Sequence, residues 1–116
     1  MAFDEQLANR VRELLGDEDG LTETKMFGGL AFLIGGHMSV AVSHEGGLLL
    51  RVPPEETEAL RKKPYARPMV MRGKQMDGWV RVDADGVATR AQLERWVTRG
   101  VSYARALPAK GGSDQR

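Results

Sequence analysis

Few residues in this 116-residue chain could carry acid–base, nucleophilic or metal chemistry. Its two histidines, His37 and His44, stand at opposite ends of one strand-like segment. Extended at ~3.3 Å per residue, that segment separates them by about 23 Å, too far to share a metal within one chain. The absence of cysteine excludes disulfides, thiolate zinc sites and thiol nucleophiles. Ser39, Ser43 and Ser102 lack both a G-x-S-x-G context and an ordered His and acid, so a hydrolase triad has no support. Asp17, Glu18 and Asp19 cluster without the glycine and closing glutamate of a calcium loop. Gly28-Gly29 and Gly35-Gly36 match neither a phosphate loop nor a dinucleotide fingerprint, and read instead as turns and bulges. The expectation is a protein without a catalytic set, metal or cofactor, one that binds rather than an enzyme.

Charge narrows what it binds. Seventeen Lys and Arg against sixteen Asp and Glu give a formal charge of +1, and the pI is about 8.1. A dedicated nucleic-acid binder usually exceeds a domain pI of about 9 or shows a basic stripe. The segment Arg61–Arg81 comes nearest, with Arg61, Lys62, Lys63, Arg67, Arg72, Lys74 and Arg81 opposed only by Asp77. Arg67, Arg72, Lys74 and Arg81 are thus either a candidate basic surface for nucleic acid, with Trp79 available for stacking, or a solvated face. A cleft lined by Arg72, Lys74 and Arg81 would instead suit a small ligand.

The elements that must position these residues follow from periodicity. Phe3, Leu7, Val11, Leu14 and Leu15 recur at helical spacing, with Asp4 and Glu5 in the first turn where the helix dipole favours anions, and Gly16 ends the pattern. Three strands follow, over Leu30–Ile34, His37–Ser43 and Leu48–Val52, joined at Gly35-Gly36 and Gly46-Gly47 as a meander. Pro53-Pro54 introduces a short helix over Glu55–Lys62. Short strands are expected over Arg67–Arg72 and Trp79–Val82, with Gly73–Gly78 as the turn between them; Pro68 suits an edge strand. Thr89 and Gln92 have capping-box spacing, and Leu93, Trp96, Val97, Gly100, Val101, Ala104 and Leu107 trace one face of a last helix. The order α-β-β-β-α-β-β-α predicts an α+β two-layer sandwich, an antiparallel sheet with helices on one face. One domain spans residues 1–108, and the glycine-rich segment 109–116 is expected to be a disordered tail.

Alternation assigns Leu30, Phe32, Ile34, Met38, Val40, Val42, Leu48, Leu50 and Val52 to the face that meets the helices. The reverse face carries Ala31, Leu33, Ser39, Ala41, Ser43, Leu49 and Arg51. A solvated face is usually more polar than this. Ala31, Leu33, Ala41, Leu49 and Arg51 therefore make either an ordinary half-exposed surface or the interface of a homodimer or protein partner. Met26 and Phe27 either plug the sheet edge against a helix or join Met69, Met71 and Met76 in an adaptable methionine-rich patch.

The stretch Lys25-Met26-Phe27-Gly28-Gly29 entering a strand, then Met38 after a glycine turn, then Leu49-Leu50-Arg51-Val52, resembles the amino-terminal domain of the TfoX/Sxy family. Ala66-Arg67-Pro68-Met69, Gly78-Trp79 and a closing helix with Leu93 and Trp96-Val97 extend the resemblance from about Phe3 to Leu107. It implies a two-layer fold like that of secretion chaperones, which often dimerise. It also implies kinship with regulators of competence for DNA uptake that act with a cyclic-AMP-responsive transcription factor. It brings no catalytic residues. The family's founders carry a second, helical domain, and the sequence after Pro108 is too short to encode one, so a stand-alone version is expected. Met1–Leu15 has no signal-peptide core and no apolar run approaches the ~20 residues of a membrane helix, so the expected location is the cytoplasm, away from membranes.

Overall fold

A computed structural model of the chain describes residues 4–16, 18–26 and 28–107. Phe3, Asp17, Phe27, Pro108 and the expected tail lie outside the described residues. The first helix, α1 (Glu5–Leu15), starts where the Asp4 carboxylate accepts the backbone N–H groups of Gln6 and Leu7 at 3.0 and 3.1 Å. Asp4 is thus a cap rather than a first-turn anion. Gly16 ends the helix at φ 48°.

Six strands follow: β1 (Leu21–Met26), β2 (Gly29–Ile34), β3 (His37–Val42), β4 (Leu48–Arg51), β5 (Ala66–Met71) and β6 (Lys74–Val82). They form one antiparallel sheet in the order β1-β2-β3-β4-β6-β5. Between β4 and β5 a 3-10 turn (Pro54–Glu56) runs into the short helix α2 (Thr57–Arg61). After β6 a second 3-10 turn (Ala84–Val87) leads to α3 (Arg90–Ala106). The expected capping box is present: Thr89 and Gln92 each accept the other's backbone N–H, at 3.0 and 3.1 Å.

The fold class is the one that periodicity predicts, α+β with helices layered on an antiparallel sheet. Leu7, Ala8, Val11 and Leu15 of α1, Leu60 of α2 and Leu93, Trp96, Val97 and Val101 of α3 close on Leu30, Phe32, Val40, Val42, Leu48, Leu50, Val80 and Val82. Burying each of the larger side chains contributes ~1.5–3 kcal/mol.

Three details differ from the sequence reading. β1 is an additional strand, paired residue for residue with β2 from Leu21 opposite Ile34 to Met26 opposite Gly29. The turn between the last two strands is Arg72-Gly73, both at positive φ (54° and 78°), and not Gly73–Gly78. That geometry suits a two-residue hairpin loop. Gly78 instead lies inside β6, where the register slips so that Met76–Trp79 oppose Met69 alone.

The third difference moves a side chain to the other face. Phe32 pairs with Val40 but Leu33 pairs with Met38, leaving Ser39 as the extra residue of a bulge. An inserted residue reverses the alternation beyond it. Met38 therefore joins the reverse face and not the helix face, while Ser39 is buried with its hydroxyl donating to the Phe32 carbonyl at 2.8 Å.

Candidate functional site

The two candidate surfaces read separately from the sequence are one place. Ala31, Met38, Ala41, Leu49 and Met69 form a second apolar cluster on the face away from the helices, with Met26, Leu33, Met71, Met76 and Trp79 packed against it. Five of the six methionines are in this cluster.

Curvature brings them together. β1 and β5 are the two edges of the sheet, yet Met26 of β1 and Met69 and Met71 of β5 line the same cavity as Ala41 and Leu49 of the central strands. A twisted sheet must coil for that to happen. The register slip in β6 bends the β5–β6 hairpin, and this hairpin carries three of the methionines. The result is a concave face holding a cavity of about 160 Å³. Ala41, Leu49 and Met69 are its buried apolar lining and Met26 and Met71 its half-buried one, while Ala31, Leu33 and Met76 belong to the wider cluster on the same face.

Polar groups edge the cavity on one side. The Arg81 guanidinium donates to the Ser43 hydroxyl at 3.0 Å and the Glu45 carboxylate at 2.8 Å. His44 Nε2 lies 3.9 Å from the same carboxylate. At the far end of β4, Arg51 sits between two rings, its guanidinium carbon 5.8 Å from the Trp79 centroid and 5.7 Å from that of Tyr103 on α3. Both distances are within cation–π reach. Arg51 thus ties the last helix to the margin of the concave face.

Lys25, Met26, Gly28 and Gly29 belong to this construction too. Met26 reaches the cavity, Lys25 is exposed, Gly28 turns the chain at φ 77°, and Gly29 lies against β3. Phe27 is outside the described residues.

The basic segment disperses on folding. Arg67 is bound by Asp83, its Nε 2.8 Å from the carboxylate, which raises its already high pKa. Arg81 is held by Glu45. Arg61, with only 11% of its side chain exposed, meets Glu58 at 3.3 Å and Asp77 at 3.4 Å. Arg72 and Lys74 stay exposed at the tip of the β5–β6 hairpin. Sequence distance hid these carboxylates: Glu45 and Asp83 lie outside the segment and arrive through strand pairing. Of Arg72, Lys74 and Arg81, Arg81 alone lines the methionine cavity.

Among the described residues no group of three or more His, Asp or Glu could hold a metal. No helix among them is long and apolar enough to cross a membrane. What the concave face can do chemically is bury an apolar group.

Comparison with known proteins gives one match. The family model of the TfoX N-terminal domain fits residues 13–104 of the 116. No curated protein and no solved structure matches.

Proposed function

The chain belongs to the TfoX N-terminal domain family, and from that premise we propose that it is a non-catalytic, regulatory protein-binding module that works through its methionine-lined sheet face. The observation that carries this reading is the cavity of about 160 Å³ between the two sheet edges, lined in part by Met26, Met69 and Met71. An apolar cavity of about 150 Å³ accommodates a benzene ring. The occupant is therefore one large apolar side chain offered by another protein, and burying it contributes ~1.5–3 kcal/mol. Unbranched methionines repack around differently shaped guests, which suits an adaptor. Arg81, Glu45 and His44 at the margin supply a polar rim, the usual surround of a protein contact.

On this reading the module regulates by docking in the cytoplasm, in the manner of a transcriptional co-regulator of the competence type, and has no chemistry of its own. A second copy of the chain is an alternative guest for the same face.

The test is capture from native extract followed by mass spectrometry, comparing the wild type with Met71→Glu and Leu33→Glu. Both positions are half-buried, so circular dichroism should report folded variants. The protein captured by the wild type should be lost by both and retained by Arg95→Glu, whose side chain lines a different cleft. Equal recovery with the charged variants would overturn the proposal. Light scattering identifies self-association: a wild-type dimer that both variants dissolve makes the guest a second copy.

A further inference from the structure

A different surface holds a second, larger concavity. The turn between α2 and β5, the 3-10 turn after β6 and the outer face of α3 enclose a cleft of about 470 Å³. Lys63, Tyr65, Gly86, Arg95, Trp96 and Arg99 define it. Its size falls in the range of small-molecule sites, about 300–1,000 Å³.

Tyr65 is the unusual residue. Its φ is 69°, a left-handed conformation rarely adopted by a bulky side chain, and 48% of it is exposed. The backbone is held there from both sides: the Tyr65 carbonyl accepts from Asp83 N–H at 2.9 Å, and Ala66 N–H donates to the Lys63 carbonyl at 3.1 Å. Gly86 makes room for it. A Cβ at position 86 would fall 2.6 Å from the Tyr65 Cβ and 2.8 Å from a Val82 methyl. An outlier backbone and a glycine without space for a methyl group together keep an aromatic ring at the mouth of a cleft. Strain of this kind points to function when the surroundings enforce it.

The charge is one-sided. Lys63, Arg95 and Arg99 line the cleft and no carboxylate does. Arg95 and Arg99 are one turn apart on α3, where like charges repel. Arg99 has a carboxylate partner, Glu56 at 4.0 Å, while among the described residues neither Lys63 nor Arg95 is in an ion pair. We propose that this cleft binds a nucleoside phosphate, its base stacked on the Tyr65 ring and its phosphate held by Lys63, Arg95 and Arg99. The arginine fork suits phosphate oxygens, and base stacking on an aromatic ring tolerates any base. The site is independent of the methionine-lined face.

Calorimetric titration of the full chain with AMP, adenosine and inorganic phosphate tests this. AMP should bind at about 1 mM or below, and each fragment at least about tenfold more weakly. Arg95→Gln should weaken AMP by about tenfold or more. Tyr65→Gly relieves the left-handed strain, so it should melt no lower than the wild type and still lose AMP binding; that result separates a missing ring from a missing fold. No heat with AMP, phosphate binding as tightly as AMP, or AMP binding unchanged in both variants would overturn the proposal.

Discussion

One carbonyl decides what residue 29 can be. A Cβ built on Gly29 would lie 2.1 Å from the carbonyl oxygen of Val42, a backbone atom at the end of β3 held by pairing with both β2 and β4. Gly29→Ala should therefore cost about 1–3 kcal/mol, the range for overpacking a filled space, and lower the urea midpoint without changing the slope. The glycine pair of the family stretch is legible in sequence as a place of close approach. The partner it approaches is not, because Val42 is set by strand register. Methionine was legible in the same partial way. Met26, Met69, Met71 and Met76 stand out as a possible patch, and Ala31, Leu33, Ala41 and Leu49 as a mild sheet face, with nothing in the periodicity to say that they coincide.

At the scale of elements, the polar strand and the bulge were the features that alternation did not reveal. Thr22, Glu23, Thr24 and Lys25 are all exposed, so β1 has no apolar period and is held by its pairing with β2. Arg12 of α1 reinforces it, gripping the Glu23 carboxylate with two bonds of 2.8 Å. Those hydrogen bonds hold the Glu23 carboxyl below its ordinary value, against the smaller opposing effect of burial. A depressed acid stabilises the fold above its unfolded pKa and loses that contribution as pH falls through the folded one. Glu23→Gln should thus lower stability at pH 7 by about 0.2–1 kcal/mol, as befits a partly exposed pair. The difference from wild type should shrink in thermal melts as pH falls through the depressed folded value of Glu23. Met38 was assigned to the wrong face because Ser39 reverses the alternation, and a single serine in a strand gives no warning of a bulge.

Thr57 performs a similar local duty for β6. Its buried hydroxyl donates to the Pro54 carbonyl at 2.8 Å and accepts the Gly78 N–H at 2.8 Å, while the Gly78 carbonyl takes Val52 N–H at 2.9 Å. This braces the slipped stretch of β6 that bends the hairpin carrying Met69, Met71 and Met76. Thr57→Val keeps the shape but strands a buried N–H. It should cost about 1–3 kcal/mol in chemical denaturation.

For the molecule as a whole, coiling of the sheet matters more than any one residue. Class and most of the helix-facing core are written in hydrophobic periodicity. Curvature is written in register slips, which leave little trace in composition, so the joining of both sheet edges around one cavity emerges only in three dimensions. The same holds for the cleft at Tyr65, where Lys63 meets Arg95 and Arg99 of a helix far from it in sequence. Folding produces two unlike surfaces: an apolar, methionine-lined concavity on the bare side of the sheet and a cationic cleft on the helix side.

The most direct test of the concavity as the docking surface is methyl NMR of the chain labelled at methionine, titrated with the protein it captures. The Met26, Met69, Met71 and Met76 methyl signals should shift or broaden together as the partner saturates, with buried Met38 following to a lesser degree. If the partner binds while those methyl signals stay unmoved, the docking surface is elsewhere and the central claim is wrong.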